Sequence, residues 1–400
     1  MAWGDSALLG FGAMVLAFGV YCATYSVDFP VYHRIATQIA RGDYEIYPTA
    51  VYAADALPPH GFRYAPAIAF LFVPFAWLPL GAAAFLFFML KVGAVAYVGS
   101  VVGRRVGDST ATGTLMLTSL LLAAGYIIEE FHYGNFHFFC IAMMVFAFDS
   151  AEAGRVVKPA AALGIAIASK LTPVLLLAYF AWRRRFRLCA ATLLVLAVIA
   201  LLPALVVGFR TNSHLLRGFV AYALEKVEEG DNYALRGLFL RMGLSHGTVA
   251  WLWPFTVFAG AVVVVAALWR NPTTPTTRWL EFCVVLTAML LASPHTQRRY
   301  FIALYVPIMA LLALIRSGGD RPDATLIRVA LAMTAAIGTV LPLLFAGRRL
   351  ALLYQAYSPH FFGALVMLIA LVLVAVRMKA TELHDANAAV SVRCQDVVKR

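Results

Sequence analysis

The chain reads as an all-α, polytopic membrane protein with about 10–12 transmembrane or re-entrant helices. Two observations carry that reading. Of 400 residues, 62% are hydrophobic and only 13% are charged, which leaves too little polar surface to cover a soluble domain of this size. Apolar runs of roughly 20 residues recur from one end to the other, each long enough to cross the hydrocarbon as a helix.

Charge and cysteine content exclude several classes. The formal charge is +12. In a membrane chain such an excess reports Lys and Arg fixing topology, and no basic block interleaved with aromatics forms a nucleic-acid surface. Cys22, Cys140, Cys189, Cys283 and Cys394 are scattered, without metal spacing or a disulfide framework.

The apolar runs follow in order. Residues 6–26 lack a basic leader and are too long for a cleaved signal, so they read as a retained first span. Segment 62–79 is interrupted by Pro66, Pro74 and Pro79 and reads as re-entrant or interfacial. Segments 83–103, 112–128 and 136–149 follow, the first closed by Arg104 and Arg105. Segment 159–182 contains Lys170-Leu-Thr-Pro173 and reads as a short helical hairpin with that break near its tip. Segments 188–208, 247–269, 279–292, 301–315, 325–346 and 360–377 complete the series. With the N-terminus inside, the larger share of the Lys and Arg residues falls in the cytoplasm, including Arg183–Arg185, Arg270, Arg278, Arg316, Arg321 and Arg328. The membrane domain spans 1–376, and the polar tail 377–400, without apolar periodicity, reads as a disordered cytoplasmic segment.

Four outward loops then hold the chemistry. The first, 27–61, carries Asp28, Asp43, Glu45 and Asp55. The second runs from Glu129 and Glu130 through His132 and Asn135 to His137. The third, 209–246, mixes acids and bases, and the fourth contains Ser293, His295, Arg298 and Arg299. The inner loops carry no Walker motif or dinucleotide fingerprint. Such a distribution suits a substrate that arrives already activated on a lipid. Glycosyl transfer from a lipid phosphate needs a carboxylate to take the acceptor proton and cations to hold the leaving phosphate. Asp28 supplies the first; Lys170, His295, Arg298 and Arg299 supply the second.

The motifs in their order carry a resemblance. Asp28-Phe-x-Val-Tyr32, Phe62-x-Tyr64-x-Pro66 with Pro74 and Leu78-Pro79, Gly134-Asn135, and Gly164-x-Ala-x-Ala-x-x-Lys170-Leu-Thr-Pro173 are similar to family 87 GT-C glycosyltransferases. Asn232-Tyr-Ala-Leu-Arg236-Gly-Leu and Ser293-Pro294 continue the match. The resemblance implies a GT-C fold and a polyprenyl-phosphate-mannose-dependent mannosyltransferase working on the outer side of the plasma membrane. It implies α-1,2 links on glycolipids of the phosphatidylinositol mannoside or lipomannan type. It puts the catalytic aspartate at Asp28 and a second acidic group at Glu129 or Glu130. Many members have Gly-Gln-x-Asn where this chain has Gly134-Asn-Phe-His137, and paired His after Ser-Pro where Thr296-Gln-Arg-Arg-Tyr300 stands here.

Each residue has a plainer reading. Asp28 is also a respectable helix N-cap before Phe-Pro-Val-Tyr. Glu129 and Glu130 also suit a solvated helix end, Lys170 a snorkelling side chain, and Arg298 and Arg299 headgroup anchors. His132 and His137 stand five apart without a third metal ligand. Asp28 with Glu129 or Glu130 offers a divalent metal two carboxylates and no evident third ligand, so no cofactor is expected. Two other functions compete: transfer from polyprenyl-phosphate arabinofuranose or glucose, and a transporter or flippase of lipid-linked sugars. The latter calls for paired ionisable groups in broken helices, and neither Lys91 nor Lys170 has an obvious acidic partner in the sequence.

Overall fold

The computed structural model describes residues 5–47, 61–106, 112–224, 232–269, 274–317, 323–341 and 357–398. Asp55, Arg270, Arg321 and the charged run Glu225–Asp231 lie outside them. Every regular element among the described residues is helical. In chain order the elements are α1 (Asp5–Tyr25), α2 (Phe29–Ala40), α3 (Pro66–Phe70), α4 (Leu80–Val106), α5 (Thr112–Leu122) and α6 (Ala124–Tyr133). Then come α7 (His137–Glu152), α8 (Val157–Ser169), α9 (Val174–Trp182), α10 (Phe186–Leu201), α11 (Phe209–Leu224) and α12 (Leu235–Arg241). The last are α13 (His246–Leu268), α14 (Pro275–Ala292), α15 (Tyr305–Ser317), α16 (Ala324–Ala335) and α17 (Pro359–Val398).

The chain is an all-α, multi-pass membrane protein, and among its described residues fewer helices reach crossing length than there are apolar runs. Six helices among the described residues are long and apolar enough to span, or eight if each of two bent pairs is one span. The bent pairs are Gly10–Tyr25 with Phe29–Ala40, at 62°, and Thr112–Leu122 with Ala124–Tyr133, at 77°. Proline and extended backbone account for much of the difference. Segment 62–79 becomes α3 and a tight helical turn at Val73–Trp77, each opened by a proline at its N-terminus. Segment 159–182 breaks at Lys170, which is extended at φ −152° and ψ 136°, and resumes after Pro173. Segment 136–149 forms a 16-residue helix, short of a crossing. In the 377–400 segment the backbone is helical to Val398; a nucleated helix propagates readily, and this stretch holds no Gly or Pro to stop it.

The fold divides into two compact units. The first comprises 1–98 and 127–227. Its packing explains several of the motif residues. Helix α2 is amphipathic and buries Phe29, Tyr32, Ile35, Ala36 and Ile39 along one face. Against that face pack Phe62, Tyr64, Phe72, Phe87 and Phe136. The Tyr32 and Tyr64 hydroxyls share a 2.8 Å hydrogen bond, and Tyr47 donates to the Tyr64 carbonyl at 2.6 Å. Phe62 and Tyr64 are therefore packing residues that hold α2 in place. The Ala65 N–H donates to the Ala168 carbonyl at 3.2 Å, tying this cluster to the end of α8 just before Lys170.

The second unit comprises 99–126 and 228–400. Trp279, Phe282, Phe301, Tyr305, Met309 and Met367 are buried in it. His360 is wholly enclosed among the rings of Tyr126, Tyr233 and Phe301.

Candidate active site

The first unit brings two helix breaks face to face. Between α1 and α2, residues 26–28 form a turn, and Pro30 starts the new helix. Between α6 and α7, residues 134–136 form another. The Asp28 N–H donates to the Tyr133 carbonyl at 2.7 Å, joining the two turns through backbone.

Asp28 stands at the N-cap of α2, yet its side chain makes no capping hydrogen bond. The carboxylate instead accepts from the Asn135 amide Nδ2 at 2.7 Å. The N-cap reading thus describes its position in the chain but not what its side chain does. Asn135 is buried, and its own oxygen accepts the His137 backbone N–H at 2.8 Å, an Asx turn that opens α7. The His137 ring then faces Lys170, with Nζ and Nδ1 3.1 Å apart. A charged Lys170 donating to Nδ1 leaves the proton of a neutral imidazole on Nε2. Asp28, Asn135, His137 and Lys170 thus form one connected polar chain across two breaks.

Gly134 permits this approach. Its φ of +64° lies in the left-handed region, and a Cβ there would stand 2.9 Å from Phe29 Cβ and 3.1 Å from Ser26 Cβ. Gly134→Ala is expected to destabilise the protein by about 2–3 kcal/mol through backbone strain and overpacking. Thermal unfolding in detergent measures it. A shift within error would show that the two turns separate without cost.

Glu130 and Lys91 make a second arrangement in the same unit. Both are fully buried, at 0% and 1% exposure. Lys91 Nζ donates to the Glu130 carbonyl at 2.6 Å and lies 3.3 Å from Glu130 Oε1. Its ammonium also sits 4.8 Å from the Phe131 ring centroid. Glu130 Oε1 accepts the Phe138 N–H at 3.1 Å in the first turn of α7. Lys91 therefore has an acidic partner that the sequence did not reveal. Glu129, the neighbouring acid, is half-buried on α6.

His295, Arg298 and Arg299 belong to the second unit. The sequence-predicted set is thus divided between the units, with Asp28, Glu129, Glu130, Asn135 and Lys170 in the first. In the second unit, the Asn232 motif pins the Ser293–Thr296 loop. Asn232 Nδ2 donates to the Pro294 carbonyl at 2.8 Å, and its oxygen accepts the Thr296 N–H at 3.1 Å and the Ala234 N–H at 3.0 Å. The Tyr233 N–H donates to the Thr296 carbonyl at 2.7 Å. Gly237 belongs to this motif for the same spatial reason as Gly134, because a Cβ there would meet the Asn232 carbonyl oxygen at 2.0 Å. Ser293 Oγ donates to the His295 carbonyl at 2.7 Å, and the loop leads into the tight turn Arg298–Leu304, where Arg299 is buried. Arg241 bonds Ser358 and lies 5.8 Å from the Tyr233 ring centroid. Burial holds its guanidinium below the ordinary arginine range, with Tyr233 acting the other way.

Asn232→Ala removes three hydrogen bonds at a site only 2% exposed. It is expected to cost about 3 kcal/mol, read as a lowered unfolding midpoint. An unchanged midpoint would mean that the loop is held by other contacts.

Among the described residues no group of three His, Cys, Asp or Glu side chains is placed to share a metal ion. The sequence missed two of the residues in these networks. In the sequence His137 pairs only with His132, as a metal ligand, although its place two residues after Asn135 is the better signal. Lys91 lacked any local sign of its partner, 39 residues away.

No curated protein matches the chain in sequence. Among solved structures it is similar to a crystal structure of ArnT from Cupriavidus metallidurans bound to undecaprenyl phosphate. The TM-score is 0.47 and the identity 16%, over 94% of this chain and 77% of that one. A family model, glycosyltransferase family 87, matches residues 62–294. The matched region starts at Phe62, takes in the Gly134, Lys170 and Asn232 motifs and ends at Pro294, so it covers more than half of the chain. On that match, the chain belongs to glycosyltransferase family 87.

Proposed function

We propose that this glycosyltransferase is an inverting enzyme that moves mannose from polyprenyl-phosphate-mannose to a glycolipid acceptor. The acceptor is of the phosphatidylinositol mannoside or lipomannan type, at the outer face of the plasma membrane. Asp28 is the general base. The observation that carries the reading is the Asp28 carboxylate, half-buried, turned from its own helix and held by Asn135 beside a loop that bears Lys170. In the proposed step, Asp28 takes the proton from an acceptor hydroxyl. The oxygen forms a bond to the anomeric carbon as the carbon–oxygen bond to phosphate breaks, and the β-linked donor gives an α link. The electron pair leaves on polyprenyl phosphate, whose charge Lys170 offsets, with His137 as an adjacent donor. His295, Arg298 and Arg299 are assigned to an anionic group bound by the second unit.

The test uses purified protein in nanodiscs with polyprenyl-phosphate-linked mannose, arabinofuranose or glucose and a panel of mannosylated phosphatidylinositols. Lipids are read by mass spectrometry, for wild type and Asp28→Asn, with and without EDTA. A hexose gain from the mannose donor that needs Asp28 and survives EDTA supports the reading. A pentose gain moves the donor to arabinofuranose. Absence of transfer from every lipid-phosphate sugar would sink the proposal and return attention to transport.

A further inference from the structure

We infer that Lys91 and Glu130 are positioning residues for the reaction: their buried pair sets the start of α7 and, through Asn135, the orientation of the Asp28 carboxylate. The inference rests on the reading of Asp28 as the base. The connection is continuous within the first unit. Lys91 Nζ is 3.3 Å from Glu130 Oε1, and that oxygen accepts the Phe138 N–H at 3.1 Å. The preceding N–H, of His137, is taken by Asn135 Oδ1 at 2.8 Å, and the Asn135 amide donates to Asp28 at 2.7 Å. The exposed amide groups of the first turn of α7 are thus shared between one carboxylate and one carboxamide. The residue at the N-cap, Phe136, offers no side-chain acceptor of its own.

Stability alone is a poor reason for this pair. Two charges buried at 1% and 0% exposure are costly to desolvate, and apolar or neutral groups of like shape commonly hold a core as well. What a neutral pair lacks is a carboxylate fixed at the start of α7, where the helix dipole favours negative charge. A rotation of α7's first turn would carry Asn135 with it, and the amide that orients Asp28 would lose its line. The ionisable groups on the elements around Asp28 are Lys91, Glu129, Glu130, His132, His137 and Lys170. Of these, Glu130 accepts the Phe138 N–H of α7, and Lys170 bonds the His137 ring at the start of the same helix.

The experiment uses the full chain in nanodiscs, with Glu130→Gln, Asn135→Ala and the double variant. Glu130→Gln is expected to lower kcat for transfer from undecaprenyl-phosphate-mannose by about a hundredfold at unchanged donor KM, the scale of a small misplacement of a reacting group. In the Asn135→Ala background the same change is expected to lower kcat by about threefold or less, because the two act in series. Hydrogen exchange over residues 134–139 is expected to quicken while the rest of the chain keeps its protection. Effects that multiply fully, or exchange over 134–139 that stays at the wild-type rate, would overturn the inference; the exchange result decides it even if no donor turns over. Should Glu130→Gln not fold, the neutral pair Lys91→Met with Glu130→Gln replaces it, and a wild-type kcat from that pair would likewise overturn it. The two readings fail separately. An active Asp28→Asn with quickened exchange over 134–139 in Glu130→Gln removes the base, and the positioning for reaction with it, but leaves the structural link from the pair to Asn135. An inactive Asp28→Asn with multiplying effects removes the positioning and leaves the base.

Discussion

Asp28→Asn is expected to lower transfer by about a thousandfold, within the range by which a positioned general base accelerates a reaction, while leaving folding and donor binding intact. The substitution is informative because of the observed geometry. The Asp28 side chain makes no cap for α2, so the helix loses nothing at its N-terminus. Its role as acceptor from Asn135 Nδ2 passes to the new amide oxygen. The proton acceptor is lost, together with the negative charge that Asp28 places near Lys91. Single-turnover assays with saturating donor isolate the chemical step, and the effect should appear in kcat and kcat/KM alike. Turnover near the wild-type rate would remove Asp28 from the mechanism, and a fallen unfolding midpoint would recast it as structural.

Lys170→Met carries the second largest expected effect, a fall in kcat of about a hundredfold to a thousandfold, as for loss of one oriented group stabilising transition-state charge. Lys170 sits in extended backbone at the end of α8, so its place does not depend on helix packing at that residue. Its Nζ is held 3.1 Å from His137 Nδ1, a contact that a freely snorkelling side chain would not keep. Met preserves the apolar stem and discards the charge. Lys170→Arg tests geometry against charge, because the planar guanidinium keeps the charge but presents its donors differently. Release of polyprenyl phosphate, followed by mass spectrometry, gives the rate. A Lys170→Met variant with unchanged kcat would reduce the residue to a membrane anchor.

Sequence and structure differ in an instructive way. Asp28, Asn135 and Lys170 were legible because each stands at a break, and breaks are written locally by Pro30, Gly134 and Pro173. Their connection into one chain was not legible, since Asp28 and Asn135 are 107 residues apart and one sequence carries no sign of such pairing. The family match itself begins only at Phe62 and does not reach Asp28. Membrane character followed directly from composition. The number of crossings did not, because an apolar run shows hydrophobicity without saying whether backbone continues through it; Lys170–Pro173 divides one such run and Pro66 and Pro74 divide another. Glu130 read as an acid at a helix end, and its complete burial depends on Lys91, a partner 39 residues earlier on α4.

The separation between Lys91 and Glu130 also bears on how the protein is made. Lys91 lies on a helix long and apolar enough to cross the membrane, and Glu130 follows it by 39 residues. During synthesis the lysine therefore reaches the bilayer before its counter-charge exists, when a central Lys costs about 2.5–3.5 kcal/mol to insert. The later arrival of Glu130 relieves that strain, and the same residue then opens α7. One residue thus serves two stages: the carboxylate that compensates the α4 lysine after insertion is also the one that accepts the Phe138 N–H at the start of α7.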